Sequence, residues 1–251
     1  MNPIYTGLLV FGCVFGTALL AMRLRAALPQ HHLSADTKDT VKLAMGLVAT
    51  MTALVLGLLI ASAKGSYDTA RSEMTQMAAK FVFLDRILAN YGPEAAEPRT
   101  QLRQMAERIM VRLWPDARSQ PAELDPSATR GEVVYDAIQK LTPQNEEQRW
   151  LKSQSLAVAS ELGQMRWLLF EQSDTSIATP FLVVVVCWLA IIFFSFGLFA
   201  PSNSTVIATL VVAALSVSGA IFLILELDRP FGGMIQISSR PMHTALTHLG
   251  R

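Results

Sequence analysis

The sequence predicts an all-α integral membrane protein, and three observations carry that expectation. Of the 251 residues, 51% are hydrophobic and only 16% charged, against about 25% charged in an ordinary soluble domain. The apolar excess is gathered into four blocks, each near the ~20 residues that cross ~30 Å of hydrocarbon as a helix. Between the second and third blocks, apolar positions recur with helical period and not with strand period. The expected organisation is 1–63 as transmembrane helices 1 and 2, 64–176 as a helical cytosolic domain, 177–228 as transmembrane helices 3 and 4, and 229–251 as a C-terminal tail. A net charge of +1 provides no field that would gather nucleic acid.

The first block, "IYTGLLVFGCVFGTALLAM" at 4–22, lacks the basic start and small-x-small site of a leader, so a membrane helix is expected. Its Gly12 and Gly16 form a GxxxG pattern, which lets another helix approach closely. The second block, "LAMGLVATMTALVLGLLIASA", covers 43–63. Its small residues Gly46, Ala49, Thr50, Ala53, Gly57 and Ala61 suit either close helix packing or a pore wall shared between subunits. Ala70, Met74, Met77, Phe81, Leu84, Leu88 and Tyr91 alternate in steps of four and three, and the phase runs back through Tyr67, Ala63, Ile60 and Leu56. Such a seam predicts that the second membrane helix continues into water as one rod packed along that face. "YGPEAAEP" at 91–98 ends it.

A helix is expected over about 99–114 with Leu102, Met105, Ile109 and Leu113 inward, then a loop, "WPDARSQPAELDPSA". A short helix follows near 131–141. A long one starts after Thr142-Pro143, with Thr142 as a cap and Leu151, Val158, Leu162, Met165 and Leu169 inward. The third block, 177–200, and the fourth, about 205–225, are separated only by "PSNS" and predict a tight hairpin. Arg23, Arg25, Lys38 and Lys42 lie on one side of the membrane; Lys64, Arg71, Lys80, Arg166, Arg229, Arg240 and Arg251 lie on the other. Seven basic residues against four place the helical domain and both termini in the cytoplasm.

The chain leaves the fourth block through "ELDRPFGG", residues 226–233. Glu226 and Asp228 do not share a helix face. Arg229 can reach phosphate or a carboxylate, Pro230 ends the helix, and Gly232 lets the chain turn back. Together with Phe231 these residues form either a plain helix stop with interfacial charges or a latch onto the cytosolic helices. No nucleophile or metal set accompanies the two acids, so no catalytic residue, metal or cofactor is expected. Cys13 and Cys187 fall in apolar blocks and read as small hydrophobes; His31, His32, His243 and His248 read as solvated. No charge sits in mid-membrane, which argues against a proton relay or coupled transporter.

"LVLGLLIASAKGSYDTAR" resembles the second membrane helix of bestrophin channels, and "LELDRPFGG" resembles the exit after their last membrane helix. Over nearly the full chain the plan is similar to that of the bestrophin-like DUF4239 family of bacterial membrane proteins, with "RSEMTQMA", Arg166 and the L-D-R-P-F-x-G exit in matching places. The resemblance implies a bestrophin-like fold in the bacterial inner membrane and a homo-oligomer, a pentamer by that analogy. It implies passive conduction of small inorganic ions through a pore lined by the second helix, with the channel's neck at Thr50, Leu54 and Leu58. These three lie at i, i+4 and i+8 and so share one face. "GGMIQISS" after Phe231 offers no carboxylate where calcium-gated bestrophins have an acidic run, so no calcium site is expected. The alternative function is a non-conducting scaffold or sensor that binds a partner through its cytosolic helices.

Overall fold

In a computed structural model the chain is described over residues 2–25, 27–29, 34–114, 132–174 and 179–250. His31, His32 and the loop expected at 115–128 lie outside the described residues. The described elements are all helical: α1 (Pro3–Arg25), α2 (Ala35–Tyr91), a 3-10 turn (Pro93–Ala95), α3 (Ala96–Leu113), α4 (Glu132–Gln139), α5 (Glu146–Asp174), α6 (Thr179–Phe199), α7 (Ser204–Leu227) and α8 (Arg240–His248). Among the described residues, four helices are long and apolar enough to cross a membrane: α1, α2, α6 and α7. The chain is thus an all-α integral membrane protein. It divides into an apolar unit, residues 1–65 with 176–228, and a polar unit, residues 66–175 with 229–251.

In the apolar unit α1 packs along both α6 and α7. Val10, Val14 and Ala18 of α1 meet Leu182, Val185, Leu189 and Phe193 of α6 and Leu210, Ala214 and Ile221 of α7. The helix approach that the GxxxG pattern led us to expect at Gly12 and Gly16 is made elsewhere. A side chain at either of those glycines would meet nothing within 4 Å, whereas a Cβ at Gly197 would lie 2.1 Å from the Ala18 carbonyl oxygen. Spacing permits close approach; which face is turned inward decides where it happens, and here Ala18 and Ala21 are the inward residues. The α6–α7 turn is fixed by Asn203, whose side chain accepts from the Val206 N–H at 2.9 Å. The membrane stretch of α2 adds Val55, Leu56 and Leu59 to the border of this core, and Thr52 is buried.

The polar unit is built on the expected seam. Ala70, Met74, Met77, Phe81, Leu84, Leu88 and Tyr91 are all buried, and Tyr67 is half-buried; further back in phase, in the apolar unit, Ala63 is buried and Ile60 and Leu56 are half-buried. A single helix of 57 residues carries them. It stops at Gly92, whose φ of 126° disfavours any residue with a side chain. α5 runs antiparallel to this part of α2: Gln148 donates to the Tyr91 carbonyl at 3.0 Å, and Lys80 pairs with Glu161 further along. Leu102, Met105, Ile109 and Leu113 of α3, and Leu151, Val158, Leu162 and Leu169 of α5, join this core, with Val134 and Ile138 of α4.

One local expectation changes. α5 begins at Glu146, not directly after Pro143, and its cap is Asn145 in place of Thr142. The Asn145 side chain accepts from the Gln148 N–H at 2.7 Å, three residues into the helix, where such an oxygen satisfies an otherwise orphaned donor. Residues 229–251, expected as a C-terminal tail, hold α8, which packs on α3. Met242, Ala245 and Leu249 are buried there at helical spacing.

Candidate pore helix and exit segment

Thr50, Leu54 and Leu58 lie on one outward face of α2. Leu54 is 70% and Leu58 71% exposed, and Leu43, Leu47 and Met51 are exposed as well. The Thr50 hydroxyl donates to the Leu47 carbonyl of its own helix at 2.8 Å. That bond satisfies it in an apolar setting without a partner helix. The small face is equally bare: Ala53, Gly57 and Ala61 are exposed, and Cβ atoms at Gly46 or Gly57 would meet nothing within 4 Å. Only 6% of the most apolar stretch of α2 is buried, against 33%, 39% and 28% for α1, α6 and α7. One chain therefore uses three of its membrane-length helices to bury one another and leaves the fourth largely uncovered.

The exit residues fall into two groups. Glu226 is 1% exposed and lies in the last turn of α7, which Asp228 closes by donating its N–H to the Ile224 carbonyl at 3.1 Å. Arg229, Pro230, Phe231 and Gly232 belong to the polar unit. Gly232 donates its N–H to the Arg229 carbonyl at 3.1 Å, and Ile237 donates to the Pro230 carbonyl at 2.8 Å, so the chain doubles back at once. Gly233 makes this possible with φ at 82°. Phe231 is buried and meets the Trp114 ring edge-on, with centroids 5.9 Å apart at 81°. The Trp114 indole N–H donates to the Ile237 carbonyl at 2.7 Å. Arg229 is exposed.

Sequence reading missed the second fastening of this segment. Asp85, 1% exposed, accepts from Arg99 Nε at 2.8 Å and Nη2 at 3.0 Å, and from the Gly250 N–H at 3.2 Å. Hydrogen bonding to Asp85 raises the Arg99 pKa above its ordinary value even though burial pulls it down. Arg103 donates to the Leu249 carbonyl at 3.3 Å. The one early signal was Asp85 itself, an acid beside the buried seam positions Leu84 and Leu88, where a carboxylate needs a partner. Among the described residues no set of three metal-ligating side chains gathers, and Cys13 and Cys187 are free thiols on the exposed surface of their helices.

The bestrophin-like domain model matches residues 12–242 of this sequence. The chain belongs to the bestrophin-like family. Its fold is that of bacterial bestrophin homologues. Crystal structures of three variants of the homologue from Klebsiella pneumoniae align with TM-scores of 0.70, 0.69 and 0.68 at 14%, 15% and 14% identity. The alignments cover 99%, 99% and 96% of this bestrophin-like chain and 97%, 98% and 97% of the homologue. No curated protein sequence matches it.

Proposed function

We propose that this bestrophin-like protein is a homo-oligomeric channel that passes small inorganic ions down their gradient through a pore lined by α2. The observation that carries the reading is the bareness of α2 beside three mutually buried helices. A four-helix chain cannot enclose a water-filled path alone, whereas copies placed around an axis give each α2 both neighbours and a lumen. By the family resemblance the ring has five copies and lies in the bacterial inner membrane. Residues 1–63 and 177–228 span the membrane; 64–176 and the termini lie in the cytoplasm, as the seven-to-four basic count favours. Thr50, Leu54 and Leu58 face the axis as a neck. Rings of leucine strip an ion of water without offering oxygens in return, so the neck controls flux by its width and wetting. Glu226, Asp228, Arg229, Pro230, Phe231 and Gly232 act as a latch that holds the exit of α7 in one conformation. No catalytic step, cofactor or calcium site is assigned.

The test is ion flux from liposomes holding purified protein, with melting temperature and oligomeric mass measured on the same samples. Leu54→Ala and Leu58→Ala should raise flux and leave melting nearly unchanged, because neither side chain is packed within its own chain. A monodisperse monomer in detergent and nanodiscs, or lost stability with unchanged flux, overturns the neck. Absence of flux in wild type and in both variants favours the scaffold or sensor function instead.

A further inference from the structure

We propose that the groove between the start of α2 and the α6–α7 hairpin holds an acyl chain of an anionic phospholipid, with its phosphate at Lys38 and Lys42. The groove has a volume of about 730 Å³, within the ~300–1,000 Å³ of sites that take small ligands. Phe196, Phe199 and Leu210 form apolar walls, and Ala49 leaves space on the α2 side. Lys38 and Lys42 line the rim one helical turn apart, hence on one face. Arg25, in the last turn of α1, donates to the carbonyl of Ala200, a residue of the same wall. Two cations thus line one end of an apolar slot, and a third, Arg25, is fastened to the backbone of its wall at Ala200. Among the described residues the acid paired with them is Asp39, which meets Lys42 at 3.3 Å with both side chains exposed. An exposed pair of this kind contributes little and exchanges readily for another anion.

An apolar body with a cationic rim is complementary to a molecule with a methylene chain and a phosphate. Ammonium groups bind phosphate as point charges, and the chain replaces lipid against Phe196 and Phe199. The rim lies where membrane-length helices begin and end, which is headgroup depth.

The full-length protein is equilibrated in detergent with phosphatidylglycerol or phosphatidylcholine of identical chains, and bound lipid is counted by native mass spectrometry. Phosphatidylglycerol should be retained at least about fivefold better, the order of gain one interfacial lysine gives. Lys38→Gln/Lys42→Gln should remove that preference. Ala49→Phe keeps both lysines but fills the slot, and should lower retention of both lipids; single Lys38→Gln serves if the double variant assembles poorly. A photoreactive residue at Ala49 should become attached to lipid. Equal retention of the two lipids, retention indifferent to the lysines, or attachment at Ala49 to a second copy of the chain overturns the proposal.

Discussion

Replacing Asp85 with Ala removes a carboxylate that, among the described residues, serves both Arg99 and the C-terminal segment. The side chain of Asp85 is 2% exposed and that of Arg99 22% exposed. Removing one partner of a fully buried pair costs about 3–5 kcal/mol; Arg99 keeps a further interaction of its own, so Asp85→Ala weakens its compensation without abolishing it. A fifth of Arg99 still reaches water, which discounts the loss to roughly 2–4 kcal/mol, with the Gly250 N–H also losing its acceptor. For a chain of this size that lowers the melting temperature by roughly 5–15 °C. Arg99→Leu should cost at least as much, since the stranded carboxylate is the more buried of the two. Asp85→Leu/Arg99→Leu strands neither charge and should melt higher than either single variant. The assay is thermal unfolding of full-length protein in detergent, with limited proteolysis reporting release of the C-terminal segment. A double variant whose loss equals the sum of the two single losses, or an Asp85→Ala protein melting within 1–2 °C of wild type (roughly, by the same scaling), refutes the reasoning.

Three further outcomes follow from the packing. The buried Tyr91 hydroxyl has no hydrogen-bond partner among the described residues, and burial, with help from Glu94, raises its pKa above 10.0. The folded state therefore holds that proton more tightly: the contribution is complete below about pH 10 and is lost as pH rises through the folded value. Tyr91→Phe should be neutral or stabilising by about 1 kcal/mol and should flatten the alkaline limb of a melting-versus-pH profile. Gly197→Ala should destabilise by about 1–3 kcal/mol or more, because the clash is with backbone at Ala18; Gly16→Ala, with open space around it, should leave the melting of a single chain unchanged. Phe231→Ala should cost about 3–5 kcal/mol and Trp114→Phe about 1 kcal/mol, the size of the lost bond to Ile237, read as melting shifts and as faster cleavage near Gly233.

Features set by local periodicity were readable in the sequence. The α2 seam was legible because each of its members repeats the same demand for burial every three or four residues, and its end was legible because Gly92 and Pro93 forbid continuation. The cap of α5 was misplaced by three residues because Thr142-Pro143 and Asn145 both carry helix-start chemistry, and only the position of the Gln148 N–H distinguishes them. What joins distant parts was not legible. Asp85, Arg99 and Gly250 come together from separate helices and the C-terminal end, and nothing in their spacing announces it. α8 escaped notice because nine residues with two inward positions, Met242 and Ala245, are too few to stand out from a Ser- and Pro-containing segment. Gly197 shows the converse limit: a lone glycine among Phe and Leu residues carries no pattern, yet α6 approaches the backbone of α1 there too closely for a Cβ.

The bare stretch of α2 is not uniform around its circumference, and this bears on the proposed pore. A leucine exposed in hydrocarbon is at no disadvantage, since lipid tails are as apolar as its side chain. Exposure of Leu54 and Leu58 by itself therefore demands no partner. Small residues differ. Ala53, Gly57 and Ala61 leave a shallow track along the helix that lipid fills poorly and a neighbouring helix fills well, through close backbone contact. That track and the Thr50–Leu54–Leu58 line are displaced by one residue, hence by about 100° around a helix of 3.6 residues per turn. In a ring of copies, a helix that touches its neighbour on one flank turns the face about a quarter-turn away toward the axis. The track would supply the flank and the leucine line the axial face, so one helix can meet both requirements of the proposed assembly without any residue serving twice.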